Sequence, residues 1–74
     1  QEELERALEH LRPEYRQAFL LFHRQHLSYV EIADALGCPL GTVRTWVHRA
    51  RQELAERLSR RGVIEDPPHA LRRI

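Results

Sequence analysis

The 74-residue sequence contains no lysine and no methionine, and Cys38 is its single cysteine. One cysteine cannot form a disulfide within the chain, and a lone thiol fits a reducing compartment, so we expect a cytoplasmic protein. No apolar run approaches the roughly 18 residues of a membrane-spanning helix, and no signal peptide is visible. We therefore expect no membrane partner.

Groups that carry catalysis or bind metals are also scarce. Neither Ser28 nor Ser59 stands in a nucleophile–base pattern, and a chain this short is not expected to enclose a cavity that excludes water. His23 and His26 are spaced to bring two rings together, but no cysteine or carboxylate nearby completes a set of metal ligands. We expect no enzyme activity, no metal and no cofactor.

Charge is unevenly distributed, although the formal net charge is only +1. Residues 1–38 hold four arginines and seven acidic residues (net −3), residues 39–61 hold six arginines and two acidic residues (net +4), and residues 62–74 are neutral. This asymmetry favours a nucleic-acid partner for the second half of the chain. Arginine also suits bidentate contact with phosphate or guanine, although a high-GC coding bias would give the same lysine-free composition.

Apolar spacing predicts an all-α fold, a small orthogonal four-helix bundle containing a helix-turn-helix with a long recognition helix. Residues 2–11 have the spacing of a short amphipathic helix. Pro13 suits the first position of a helix and begins a second one, which is predicted to run to about His26. The sequence has no strand-like alternation and no internal repeat.

The stretch from Leu27 to Leu58 has the layout of a DNA-reading helix-turn-helix, a short helix followed by a tight turn and a long basic helix. Ser28 and Glu31 predict a capping box at the start of the short helix, and Gly37 predicts its end. Pro39 suits the first position of the long helix.

The long helix is predicted to have two different sides. Its apolar stripe, expected to face the core, consists of Val43, Val47, Ala50, Leu54 and Leu58. The opposite side is polar and basic and carries Arg44, Thr45, His48, Arg49 and Arg51. Trp46 lies at the edge of the stripe, where we expect it to pack against the second helix; stacking on DNA or on a partner helix is the alternative.

Residues 1–61 are therefore predicted to form one small domain. Residues 62–74 are predicted to be a tail, irregular or with a short helical turn, because Gly62 and the pair Pro67–Pro68 end regular structure. The chain begins within a charged helical pattern and without an initiating methionine, so we expect it to be a fragment of a longer protein.

A family resemblance rests on the run EIADALGCPLGTVRTWVHRAR, preceded by LRPEYRQAFLLFHRQHLSY. Together they resemble the C-terminal (region 4) domain of bacterial RNA polymerase sigma factors, within the extracytoplasmic-function group of the sigma-70 family. The matching elements are Leu11–Pro13, Tyr29–Ala33 and Gly41–Arg51, and the resemblance covers about residues 4–58. Trp46 stands where the family often has a polar or basic residue, so no role carries over to it.

The resemblance implies sequence-specific binding of the double-stranded −35 promoter element, which directs RNA polymerase in transcription initiation. It also implies contact between the apolar faces of the domain and the flap of the polymerase β subunit. In many relatives an anti-sigma factor covers the same domain. We expect a monomer in isolation.

The resemblance also assigns the base-reading positions, which here are Arg44, Thr45, His48 and Arg49. Arginine paired with guanine O6 and N7 is the commonest specific contact and discriminates between bases by about 1–3 kcal/mol. A solvated arginine face is the alternative interpretation.

Contacts with phosphate are predicted around these positions. The amides of Leu40, Gly41 and Thr42 are expected to be unbonded donors in the first turn of the recognition helix, where a phosphate can dock. Arg51 points to one side of the base-reading positions and is predicted to contact phosphate. Arg16 on the second helix is predicted to clamp the neighbouring strand, with an ion pair to Glu14 or Asp34 as the alternative.

Two other functions fit parts of the pattern. A response-regulator type of transcription regulator shares the Glu-Ile-Ala and Thr-Val spacing, but such domains usually dimerise through a further helix. A protein-interaction module would use the basic helix to bind an acidic partner and never DNA. The salt dependence of duplex binding discriminates the second alternative, because phosphate contacts release counterions.

Overall fold

Four α-helices make up most of residues 2–60, the part of the chain that the computed structural model describes. They are α1 (Glu2–Glu9), α2 (Pro13–His23), α3 (Tyr29–Leu36) and α4 (Leu40–Arg60). No strand occurs between residues 2 and 60, and the predicted all-α fold with a long last helix is confirmed. The predicted tail, 62–74, lies outside the described residues.

The first two helices end slightly earlier than the sequence predicts. After α1 the amides of His10 and Leu11 donate to carbonyls three residues back, at 3.1 Å each. This tighter turn leaves the α-helix at Glu9 and still buries Leu11. Pro13 occupies the start of α2 as predicted, where the missing amide hydrogen is not needed.

The turn that follows α2 contains a strained backbone residue. His26 has a φ of 57°, in the left-handed region that residues with a Cβ adopt at a cost. Directly after it, the amide of Leu27 donates to the carbonyl of Leu21 at 3.1 Å. An ion pair between Glu5 and Arg24 joins α1 to the same region, but both side chains are about half exposed, so it contributes little to stability.

The predicted ends of α3 are confirmed. The Glu31 amide donates to Ser28 Oγ at 3.1 Å, and the Ser28 amide donates to Glu31 Oε1 at 2.8 Å, which completes the capping box. Gly37 takes a left-handed conformation with φ 67°, which is accessible to glycine without strain. As a result the amides of both Gly37 and Cys38 donate to the carbonyl of Ala33.

Helix α4 begins one residue later than predicted. Pro39 precedes the first helical residue, and its carbonyl accepts the first helical hydrogen bond, from the Val43 amide at 3.2 Å. Pro39 is therefore the N-cap residue rather than the first residue of the helix. Proline has no side-chain oxygen to accept from the first amides of α4, in contrast to Ser28 at the start of α3.

The apolar stripe of α4 is buried along its whole length and joins two hydrophobic clusters. The first cluster links α1 and α2 to the later turns of α4 and contains Ala7, Leu8, Leu11, Tyr15, Phe19, Ala50, Leu54, Ala55 and Leu58. The second links α2 and α3 to the early turns of α4 and contains Ala18, Ile32, Val43 and Val47. Trp46 is half-buried and packs against both clusters, so it lies against the core as predicted, while its contact with α2 in particular stays a prediction.

Replacing Val47 with alanine tests the orientation of α4. Val47 is fully buried beside Ile32, so Val47→Ala should lower the free energy of unfolding by roughly 1–3 kcal/mol through lost burial and a residual cavity. His48 is exposed, and His48→Ala should leave the melting temperature nearly unchanged. Thermal melts followed by circular dichroism measure both. A larger loss for His48→Ala would contradict this orientation of the helix.

Replacing His26 with glycine tests the strain at the end of α2. Glycine adopts the left-handed conformation without the steric cost that a Cβ brings. Glycine also raises the entropy of the unfolded chain, which offsets part of this gain, so His26→Gly should stabilise the protein by about 0.5–1 kcal/mol. Gln25→Gly is the control, because Gln25 is exposed and has a negative φ, so glycine there should destabilise. A lower melting temperature for His26→Gly would show that its side chain stabilises the turn.

Candidate nucleic-acid interface

The four predicted base-reading side chains lie together on one side of α4. Arg44, Thr45, His48 and Arg49 are all exposed, whereas Val43 and Val47, which alternate with them along the helix, are fully buried. The core therefore fixes the rotation of α4, and these side chains point away from it.

These residues line an open depression on the protein surface with a volume of about 530 Å³. Its fifth lining residue is Tyr29, the first residue of α3, which closes one side. The Tyr29 ring is half-buried and lies 5.1 Å from the Phe22 ring between centroids. The sequence prediction missed Tyr29 as a site residue, although its spacing of three and four residues from Ile32 and Ala33 indicates that its ring turns toward α4.

The electrostatic character of this depression is positive. Neither Arg44 nor Arg49 forms an ion pair with a carboxylate in the part of the chain that the structure describes. An unpaired arginine at an open surface retains all its donors for a ligand, and it favours an anionic one. The depression therefore suits a polyanion that carries hydrogen-bond acceptors.

The first turn of α4 is open to solvent beside the depression. Leu40 and Gly41 are exposed, and a Cβ added at Gly41 would meet no atom within 4 Å. Among the described residues, no backbone hydrogen bond outside the helices is donated by the amides of Leu40 or Gly41. The amide of Thr42, however, donates to the carbonyl of Pro39 at 3.1 Å. The prediction of three unbonded amides is therefore wrong for Thr42, because the helix tightens in its first turn.

Arg16 is half-exposed on α2. It forms no ion pair with Glu14 or Asp34, within the described part of the chain, so the alternative explanation for this side chain is not observed. Its contact with phosphate stays a prediction.

Arg51 occupies a different place from the one predicted. It is half-buried at the edge of the apolar stripe, and its guanidinium carbon lies 5.3 Å from the centroid of the Phe22 ring. Its Nε is buried and has no hydrogen-bond partner among the described residues. The prediction that Arg51 lies opposite the stripe is therefore wrong, because an aromatic ring from α2 draws the side chain toward the core. Its contact with phosphate stays a prediction.

Outside this depression, the histidines and helices do not point to a second kind of site in the part of the chain that the structure describes. His23 stacks on Phe19 with centroids 5.1 Å apart. Over residues 2–60, no group of three or more histidine, cysteine, aspartate or glutamate side chains is arranged to hold a metal ion. None of the described helices combines the length and the apolar character that crossing a membrane requires.

Comparison with known proteins gives a consistent result. A family model described as sigma-70, region 4, matches residues 1–54. The ECF RNA polymerase sigma factor SigE of Mycolicibacterium smegmatis is 47% identical over 58 residues, which cover 78% of this chain and 23% of that protein. The RNA polymerase sigma factor YlaC of Bacillus subtilis is 39% identical over 59 residues, which cover 80% of this chain and 34% of that protein.

The ECF RNA polymerase sigma-E factor of Escherichia coli is 43% identical over 49 residues, which cover 66% of this chain and 26% of that protein. The chain thus spans between about a quarter and a third of the length of these three relatives. No solved structure matches the chain.

Proposed function

This chain belongs to the sigma-70 family as a region 4 domain of the extracytoplasmic-function group, and from that premise we propose that it recognises the −35 promoter element as double-stranded DNA. One observation carries the proposal: Arg44, Thr45, His48 and Arg49 line a single open depression on the exposed side of a basic helix. An α-helix with such a row of donors fits the major groove, where each base pair presents a distinct pattern.

The proposed division of roles follows from the chemistry of each side chain. Arg44 and Arg49 each donate two N–H hydrogen bonds from their planar groups to guanine O6 and N7, while Thr45 and His48 contact neighbouring base edges. The amides of Leu40 and Gly41 hold a phosphate at the positive end of α4. Arg16 and Arg51 contact the phosphate backbone on either side, and these contacts position the helix without reading sequence.

The proposed biological role is transcription initiation in the cytoplasm, with the RNA polymerase core as partner. The relatives named above are RNA polymerase sigma factors, which supports this role for the longer protein of which such a domain forms part. Apolar surface outside the DNA-reading side contacts the flap of the β subunit, and an anti-sigma factor is a further proposed partner of the same domain. The isolated chain is proposed to be a monomer.

Substitution of Arg44 and Arg49 tests the proposal. A preferred duplex is first selected by the chain from a randomised pool. Arg44→Ala and Arg49→Ala should each weaken binding to the selected duplex by roughly 1–3 kcal/mol more than binding to a scrambled duplex, because only the former presents the guanines in register. Fluorescence anisotropy at fixed salt measures both affinities.

The charge-matched control is Arg57→Ala. Arg57 lies beside Arg6 and His10 and does not line the depression that contains Arg44 and Arg49. It should affect neither duplex strongly. If Arg44→Ala and Arg49→Ala instead lose equal affinity for both duplexes, Arg44 and Arg49 contact phosphate rather than bases. Absence of salt-dependent duplex binding by the unmodified chain would instead favour a protein-interaction module, and a stable dimer on a sizing column would contradict the proposed monomer.

Substitution of two glycines by alanine separates phosphate docking from folding. Gly41→Ala should stabilise the unbound protein by up to about 1 kcal/mol, since a Cβ there meets no neighbour and alanine favours helix. It should nevertheless weaken duplex binding by about tenfold, because the methyl group holds a phosphate away from the amides. Gly37→Ala should destabilise the protein, because Gly37 has a positive φ. Unchanged duplex affinity for Gly41→Ala would place the phosphate elsewhere.

A further inference from the structure

Arg51 is held in a defined position by Phe22. Its guanidinium stacks over the Phe22 ring at 5.3 Å from the centroid, a distance typical of a cation–π interaction. Among residues 2–60, its Nε is buried without a hydrogen-bond partner, whereas the residue as a whole is only partly buried. An arginine held in this way presents a planar pair of donors to solvent in one orientation.

The stacked arginine adjoins the DNA-reading surface. Phe22 also contacts Tyr29 at 5.1 Å between ring centroids, and Tyr29 lines the depression that contains Arg44 and His48. Along α4, Arg44, His48 and Arg51 are spaced four and three residues apart, which places them in one row about 10 Å long. Arg51 ends this row and stacks on Phe22, a residue of α2.

We propose that Phe22 is a positioning residue for DNA binding, which aims the terminal nitrogens of Arg51 at a phosphate of the strand that passes the C-terminal end of α2. The inference rests on the proposed duplex binding and adds a role for Phe22, which contacts no DNA itself. A long arginine side chain loses rotamer freedom when it binds a phosphate. Stacking on Phe22 restricts the side chain before DNA arrives, so less of that entropy remains to be lost on binding.

A double-mutant cycle with Phe22→Leu and Arg51→Gln tests the proposal, with duplex affinity measured over a salt series. Arg51→Gln should weaken selected and scrambled duplexes alike and reduce the salt slope by about one unit. Phe22→Leu keeps an apolar side chain but removes the ring face. It should weaken both duplexes by roughly two- to fivefold and keep most of the salt slope.

The coupling between the two changes is the discriminating result. In the Arg51→Gln background, Phe22→Leu should have no further effect on affinity, whereas a purely structural role of Phe22 would cost the same affinity in both backgrounds and would overturn the proposal. Phe22→Tyr retains the ring face and should bind like the unmodified chain. Circular dichroism melts identify any loss of fold.

Arg51→Lys gives a second test that leaves Phe22 unchanged. Lysine retains the charge but not the planar group that stacks on a ring, so this variant should retain the salt slope and lose roughly two- to fivefold in affinity. Affinity equal to that of the unmodified chain would overturn the role of stacking. If Arg51→Gln changes nothing while Arg44→Ala still reduces sequence preference, this inference fails and the proposed function stands.

Discussion

The burial of one side of α4 is the constraint on which the rest of the structure depends. Helix α4 packs against α1, α2 and α3, and its fully buried valines fix its rotation about its own axis. The direction of the exposed side chains is therefore a consequence of core packing. One helix thus carries both the core residues and the candidate nucleic-acid interface. Because the stability of a domain this small seldom exceeds about 5 kcal/mol, a packing defect in α4 would disturb both.

Features set by local chemistry were predictable from the sequence. The capping box of Ser28 and Glu31 and the left-handed Gly37 depend on neighbouring residues, and both are present as expected. The apolar stripe of α4 was predictable because helical periodicity and burial coincide along it. The exposure of Arg44 and Arg49 follows from the same periodicity, since a helix that buries one side must expose the other.

Features that depend on contacts between helices were not predictable. Arg51 lies one residue after Ala50, at the edge of the stripe, where periodicity leaves its direction open and the Phe22 ring decides it. The spacing of Tyr29 indicates that its ring turns toward α4, but the depression that it lines exists only because α3 packs beside α4. The left-handed His26 has no signal in the sequence, because residues with a Cβ rarely adopt that conformation.

The connection between α3 and α4 consists of only three residues, 37–39, and its backbone is fixed at both ends. The Cys38 amide is bonded to the last turn of α3, and the Pro39 carbonyl accepts the first hydrogen bond of α4. The connection has no slack to absorb an inserted or deleted residue without displacing one helix relative to the other. Exchanges of side chain on the exposed side of α4, by contrast, leave both the chain length and the core unchanged, so the surface chemistry of this helix can vary without a change of fold.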